Sequence, residues 1–125
     1  MPMKGLGIDL CGIQRIQRVL EGGDGFLRRY FTQEEQAYIA RRGKAGPESA
    51  AAMFAAKEAF LKALGTGIDG GIPLTEVSVA HEESGQPRYV LGETAQQAMA
   101  QRGAGSAWLS LSHEAGVAAA VCVLE

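Results

Sequence analysis

The chain has few cysteines and no long hydrophobic run. Its 125 residues include only Cys11 and Cys122, at opposite ends of the chain, with no second cysteine or histidine at metal-ligand spacing. Neither a disulfide framework nor a zinc site is indicated, and both side chains are expected to be buried, reduced thiols. The longest apolar run, residues 117–124, is far too short to cross a bilayer, and the N-terminal stretch lacks a signal-peptide core. We therefore expect a soluble, cytoplasmic protein without a membrane partner.

Charge is nearly balanced overall but unevenly distributed along the chain. Through Lys44 there are eight basic and five acidic residues, and the remainder has four basic and nine acidic residues. The basic front part can attract an acidic protein or a polyphosphate ligand, whereas interspersed acids and a low isoelectric point argue against a nucleic-acid binder. Solvated helix faces are the alternative interpretation of any one arginine.

Hydrophobic periodicity and turn residues predict a single α+β domain over residues 1–125. The chain is 46% hydrophobic and has no internal repeat, low-complexity tract or linker. Helices are predicted from residue 13 to Gly22–Gly23, over 26–31 as a short helix or turn, from 32 to near 43, over 47–65 and over 94–102. Strands are predicted over 3–10, 75–80, 87–91, 106–112 and 117–124. The expected architecture is a long helix packed on a largely antiparallel sheet.

Two carboxylates and a lysine are the most informative residues. Asp9 ends the first predicted strand, and Glu58 and Lys62 lie four positions apart in the longest predicted helix. One helical turn places Glu58 and Lys62 on the same face, where together they can hold a cation-bound phosphate. A surface ion pair is the alternative interpretation. Ala51 and Ala55 fall on the same stripe, and such small residues are expected to let a ligand approach the helix.

A glycine-rich segment follows this helix directly. Gly65, Thr66 and Gly67 open a glycine cluster that extends to Gly71 and matches neither a Walker motif nor a dinucleotide fingerprint. By itself this cluster could be only a connecting turn between a helix and a strand. Its attachment to the helix of Glu58 and Lys62 favours a ligand-binding loop.

In their order along the chain, six segments resemble the holo-acyl-carrier-protein synthases, small members of the 4′-phosphopantetheinyl transferase superfamily. The segments are residues 7–9, 31–35, 54–63, 65–68, 85–87 and 110–114. The resemblance runs from Gly5 almost to Glu125 and implies the 4′-phosphopantetheinyl transferase fold. It also implies that 4′-phosphopantetheine is transferred from coenzyme A to a serine of an apo acyl carrier protein, with release of adenosine 3′,5′-bisphosphate.

The resemblance assigns roles to the charged residues. Asp9 and Glu58 would bind Mg²⁺, which commonly takes one or two protein carboxylates and completes its octahedron with phosphate oxygens and waters. Lys62 would contact the diphosphate and stabilise or protonate the leaving oxygen. Glu58 and a metal-bound water remain alternative general bases for the serine hydroxyl.

Further residues are implicated in binding. The resemblance places Gly65, Thr66, Gly67 and His113 at coenzyme A, with His113 near the nucleotide end, and it places Arg15 against an acidic helix of the carrier protein. It also implies a homotrimer with active sites shared between subunits, and a carrier of the fatty-acid type. A noncatalytic module that binds coenzyme A or the carrier is the alternative function. A third possibility is a purely structural trimer in which the charged residues of the long helix only form part of the surface.

One position departs from the family pattern. Relatives commonly have an arginine just before the aromatic residue of the long helix, where this chain has Met53. Arg41, Arg42 or Lys44 could replace that phosphate contact from a nearby loop. His81 belongs to no matching motif and is expected to be structural.

Overall fold

The computed structural model describes residues 2–67 and 70–125, and its longest element is a helix of 19 residues. Within these residues the helices are α1 (Ile13–Glu21), α2 (Gly25–Tyr30), α3 (Gln33–Arg41), α4 (Gly46–Leu64) and α5 (Glu93–Gln101). The strands are β1 (Gly5–Gly12), β2 (Val77–His81), β3 (Pro87–Leu91), β4 (Ala107–Glu114) and β5 (Val117–Leu124). Short 3₁₀ turns occupy Gly43–Ala45 and Leu74–Glu76. The predicted order of elements matches, with ends displaced by one or two residues.

Every strand pairing in the described part of the chain is antiparallel. β5 lies between β1 and β4 in a three-stranded sheet, and its register places Ala120 opposite Asp9. β2 and β3 form a separate two-stranded sheet. β4 and β5 are joined by a tight turn in which Ala115 and Gly116 both have positive φ, 54° and 79°. The predicted α+β class, with a long helix on an antiparallel sheet, is confirmed.

The helix ends follow local chemistry. Thr32 caps α3: its hydroxyl accepts from the Glu35 backbone N–H at 3.1 Å, and the Glu35 carboxylate accepts from the Thr32 N–H at 2.9 Å. This is the capping box that the sequence predicted. Pro47 lies in the first turn of α4, and Gly65, with φ of 79°, ends it in the left-handed conformation.

The face of α4 with small residues packs against protein. Met53, Phe60 and Leu64, the expected core stripe, are buried. Ala51 and Ala55 are 0% exposed as well. The expectation that these two alanines let a ligand approach is therefore wrong, because β1, β5 and α1 pack against the helix closely enough to cover it.

Two glycines bring β1 unusually close to α4. A Cβ on Gly7 would overlap the Ala59 carbonyl oxygen and lie 2.7 Å from the Ala63 amide nitrogen. A Cβ on Gly5 would likewise overlap the Ala63 carbonyl oxygen. Only glycine lets the strand backbone lie directly on the helix backbone at these points. This contact fixes the height of Asp9 above α4.

The other face of the three-stranded sheet is apolar and open. Side chains alternate along β1, so that Gly7, Asp9 and Cys11 face α4 while Leu6, Ile8 and Leu10 point away from it. These three are 60%, 58% and 63% exposed, and Trp108 of β4 is 57% exposed. Val121 and Val123 of β5 pair with Ile8 and Leu6 on the same face.

Both cysteines are free and buried, as predicted. Burial raises the pKa of each thiol, and it raises that of Cys122 to about 11. None of the helices in the described residues has the length and apolar character needed to cross a membrane.

Candidate active site

Asp9 and Lys62 form an ion pair between β1 and α4. The Lys62 ammonium donates to Asp9 Oδ1 at 2.9 Å and to the Ile8 carbonyl oxygen at 3.1 Å. Asp9 is 8% exposed, whereas the Lys62 side chain is 54% exposed. The carboxylate is thus held beneath the lysine, which lies at the surface of the site.

Glu58 lies one turn before Lys62 and shares a site with Asp9. Burial raises the pKa of Glu58, and the charge of Asp9 and a hydrogen bond to it raise that pKa further, while Lys62 and Arg15 oppose the shift. Two carboxylates that lie close together repel each other when both are ionised, and this repulsion shows that Asp9 and Glu58 are neighbours. The structure therefore brings together the three residues for which the sequence predicted catalysis and metal binding.

The donor set fits a hard divalent cation. The described residues contain no group of three or more His, Cys, Asp or Glu side chains that could enclose a metal. Mg²⁺ does not need one, because it retains waters and binds phosphate oxygens alongside one or two carboxylates. A cation between Asp9 and Glu58 would also relieve the repulsion that raises the pKa of Glu58.

The glycine-rich segment borders this cluster. Glu58, Leu61, Lys62 and Gly67 line a cavity of about 120 Å³. The amides of Thr66 and Gly67 both donate to the Leu61 carbonyl oxygen, at 3.2 and 3.4 Å, which holds the start of the segment against the end of α4. Ile68, which belongs to the predicted motif, and Asp69 lie outside the described residues.

Arg15 lies at the edge of the same site. Its guanidinium donates to Cys11 Sγ at 3.7 Å, and it is one of the charges that oppose the raised pKa of Glu58. The residue itself is exposed on α1. A partner that docks on this helix would therefore lie beside Glu58.

His113 lies elsewhere in the chain. Its Nε2 is 3.4 Å from Glu48 Oε1, in the first turn of α4. Glu48 and Glu58 are ten residues apart, which corresponds to about 15 Å along a helix axis. Within one chain, His113 and the carboxylate pair thus occupy opposite parts of α4.

The cavity at His113 contains a second histidine that the sequence reasoning regarded as structural. Tyr38, Arg42, His81 and His113 all line this space of about 170 Å³. The rings of His81 and Tyr38 are stacked, with centroids 4.1 Å apart and planes 3° from parallel. Burial, with a smaller effect of Arg42, lowers the pKa of His81. The segment at residues 85–87, which resembles the family, was the sequence signal that could have placed His81 at this cavity. It lies just beyond His81, and its Gly85 lines the same cavity.

Arg42 suits the role left open by Met53. Met53 is 1% exposed and belongs to the core, so it presents nothing to a ligand. Arg42 lines the cavity of His113, and its Nε donates to Ser49 Oγ at 3.2 Å. Arg41 instead lies over the Tyr38 ring at 5.9 Å, and Lys44 occupies the 3₁₀ turn before α4.

Comparison with known proteins gives a consistent result. A model of the 4′-phosphopantetheinyl transferase superfamily matches residues 5–122. The chain is 47% identical to a holo-[acyl-carrier-protein] synthase of Trichlorobacter lovleyi over 97% of this chain and 96% of the relative. The crystal structure of the holo-[acyl-carrier-protein] synthase from Neisseria meningitidis superposes with a TM-score of 0.89 at 33% identity, over 99% of both chains. The Helicobacter pylori holo-[acyl-carrier-protein] synthase in complex with coenzyme A superposes with a TM-score of 0.81 at 29% identity, over 96% of this chain and 99% of that one.

The chain belongs to the 4′-phosphopantetheinyl transferase superfamily. Both the match at residues 5–122 and the relative of 47% identity span nearly the whole chain. The family resemblance drawn from the sequence is thereby confirmed.

Proposed function

We propose that this protein is a holo-acyl-carrier-protein synthase, which transfers 4′-phosphopantetheine from coenzyme A to a serine of an apo acyl carrier protein. The observation that carries the proposal is the cluster of Asp9, Glu58 and Lys62 beside the glycine-rich segment. It occurs in a chain whose relatives over nearly full length are named as synthases of this kind. Adenosine 3′,5′-bisphosphate is the second product.

Asp9 and Glu58 are the residues that would hold Mg²⁺. The bound ion supplies positive charge that offsets the charge developing on the diphosphate as its bond breaks. Lys62 donates to Asp9 Oδ1 at 2.9 Å. The half-exposed Lys62 side chain can turn from the carboxylate to a phosphate oxygen, since lysine carries its charge on a flexible stem.

Lys62 then stabilises or protonates the departing oxygen of the bisphosphate product. An ammonium at this place stabilises the negative charge of the leaving oxygen more in the transition state than in bound coenzyme A. Such a difference is the condition for accelerating the transfer. The serine proton is taken at the same cluster, where Glu58 and a water held beside it are the alternative acceptors.

The nucleotide end of coenzyme A is proposed to bind through His113 and Arg42. Both side chains line one cavity, and a guanidinium beside an imidazole is a suitable environment for a phosphate monoester. The cavity lies about one-half of α4 away from the carboxylates, so coenzyme A must either extend along the helix or bridge two subunits.

A homotrimer with active sites shared between subunits is our proposed assembly. The exposed apolar face of the sheet supports it, because Leu6, Ile8, Leu10 and Trp108 form one continuous surface that a second copy can cover. Ile8 and Leu10 flank Asp9 and line an open depression with Lys62. A second subunit bound to this face would cover one side of the depression and could contribute its own His113 to the active site.

The carrier protein is proposed to dock on α1 through Arg15. An exposed guanidinium next to Glu58 would attract an acidic helix and bring its serine towards the reacting phosphate. Arg15→Glu should weaken carrier binding far more than coenzyme A binding. Arg88→Glu, an exposed arginine of β3 outside α1, is the control and should leave both affinities unchanged. Equal loss of both affinities in Arg15→Glu would contradict this docking mode.

The decisive experiment follows the intact mass of an apo acyl carrier protein, with the fatty-acid carrier tested first. The protein, coenzyme A and Mg²⁺ should produce a phosphopantetheine adduct that a chelator prevents. Asp9→Asn, Glu58→Gln and Lys62→Met should each lower the rate by about 100-fold or more, whereas Lys44→Met should not. Tight binding of coenzyme A without any adduct, across several apo carriers, would instead identify a noncatalytic binding module.

A further inference from the structure

Lys57 is a charged side chain inside the core. It is 0% exposed, and its ammonium donates to Glu35 Oε1 at 2.8 Å and to the carbonyl oxygens of Leu74 and Val77, each at 3.0 Å. An ammonium has three protons, so every donor is used. Burial lowers the pKa of Lys57, and the charge of Glu35 opposes this shift.

The two carbonyl partners lie where the glycine-rich segment ends. Leu74 begins the 3₁₀ turn that follows this segment, and Val77 is the first residue of β2. At its other end the segment is attached to α4 through the Thr66 and Gly67 amides, which donate to Leu61. Both ends of the connection between α4 and β2 are therefore attached to α4, at Leu61 and at Lys57.

A buried ion pair is weak evidence for stability, because desolvation offsets most of its attraction and apolar side chains of similar volume often do as well. The distinctive property of Lys57 is geometric. A single Nζ atom joins α3, the 3₁₀ turn and the start of β2 to one point on α4. No apolar side chain can direct two backbone carbonyls in this way.

We propose that Lys57 is a positioning residue that holds the end of the glycine-rich segment on α4 and thereby sets the affinity for coenzyme A. The inference rests on the proposed function, since it deepens the role of the same site. Lys57 is enclosed and touches no ligand, but the next residue, Glu58, lines a cavity with Gly67 of that segment. Releasing the carbonyls of Leu74 and Val77 would detach the 3₁₀ turn and the start of β2 from α4, next to the cavity of Glu58 and Gly67 where coenzyme A is proposed to bind.

Two substitutions separate this role from simple stability. Lys57→Met removes the ion pair and both carbonyl contacts, whereas Glu35→Gln removes the ion pair but leaves the Lys57 amino group on Leu74 and Val77. Both should lower the thermal midpoint. Only Lys57→Met should raise the KM for coenzyme A, by about tenfold, with kcat and the KM for the carrier changed less than about twofold. Calorimetric titration with coenzyme A should show the same loss of affinity.

Tyr89→Phe is a further control, because Tyr89 also donates to the α4 backbone, at Ala56 O, but lies away from the glycine-rich segment. It should change stability without changing either KM. If Lys57→Met does not fold, Lys57→Arg replaces it: a planar guanidinium cannot direct three donors from one point, so the KM for coenzyme A should again rise.

The outcomes are distinct. An unchanged KM for coenzyme A in folded Lys57→Met or Lys57→Arg overturns the positioning role, as does an equal rise in Glu35→Gln. If the wild-type protein makes no adduct, the proposed function itself fails. Amide exchange of residues 70–77 provides a test without turnover: protection should fall more in the Lys57 variant than in Glu35→Gln, and equal loss would refute the attachment.

Discussion

Gly7→Ala tests whether the contact between β1 and α4 fixes the carboxylate pair. The new Cβ would lie 2.7 Å from the Ala63 amide nitrogen and closer still to the Ala59 carbonyl oxygen. Both obstacles are helix backbone, which cannot rotate away as a side chain can. The strand must therefore move outward by roughly 1.5 Å to reach ordinary van der Waals separation.

The cost can be estimated in stability and in rate. Overpacking of this kind destabilises by about 2–3 kcal/mol, which for a chain of this length lowers the thermal midpoint by roughly 10 °C. Asp9 lies two residues further along the strand and moves with it, away from Glu58. A misplacement of about 1 Å at a reacting centre typically costs about 100-fold in rate.

Calorimetry gives the thermal midpoint, and the carrier mass assay, run well below that midpoint, gives the turnover of the folded enzyme. Gly105→Ala is the matched control, because a Cβ on Gly105 meets nothing within 4 Å and its φ is not positive. The control should retain both values. A Gly7→Ala protein with wild-type midpoint and turnover would refute the claim that close approach of the two backbones positions Asp9.

Three other predictions concern the turn, the second histidine and the open sheet face. Ala115→Gly should stabilise the protein by about 0.5–1 kcal/mol in denaturant titration, because alanine adopts a left-handed φ of 54° there; an unchanged midpoint would contradict this. The lowered pKa of His81 means that the unfolded chain binds a proton at higher pH than the folded one, so stability should fall as pH falls through 6.5. This fall should be smaller in His81→Phe, and an identical pH profile would exclude the effect. Leu6→Glu should produce monomers with little turnover in light scattering and mass assays, whereas the equally exposed Met3→Glu should stay assembled.

The sequence predicted those parts of the fold that depend on local chemistry. The start of α3 followed from Thr32 and Glu35, and the limits of α4 followed from Pro47 and Gly65, because capping and left-handed glycine are properties of neighbouring residues. The antiparallel pairing of β4 with β5 followed from an alternating strand and an apolar strand joined by a short connection that contains Gly116. These signals need no knowledge of the tertiary structure.

The parts that were missed depend on contacts between distant segments. Ala51 and Ala55 were expected to face a ligand, because helical periodicity shows which residues share a face but not what covers it. Nothing in the sequence distinguishes Lys57, because its acidic partner Glu35 is 22 residues away and also belongs to the capping box of α3. A buried lysine and an exposed one have the same appearance in a sequence.

The site combines both kinds of information along a single helix. Successive residues of α4 are about 100° apart around the helix axis. Lys57 is therefore turned to the core, where it attaches the turn after the glycine-rich segment, and Glu58 is turned to Asp9. Gly7 sets the approach of the strand that carries Asp9, from the other side. The close approach of β1 to α4, which only Gly7 allows, thus determines the position of the carboxylate pair. Lys57 determines where the chain after the glycine-rich segment lies, although Lys57 itself does not reach the ligand. Substitutions at Gly7 and Lys57 should therefore affect different steps, the first the transfer and the second the binding of coenzyme A, although neither residue is in contact with the reacting atoms.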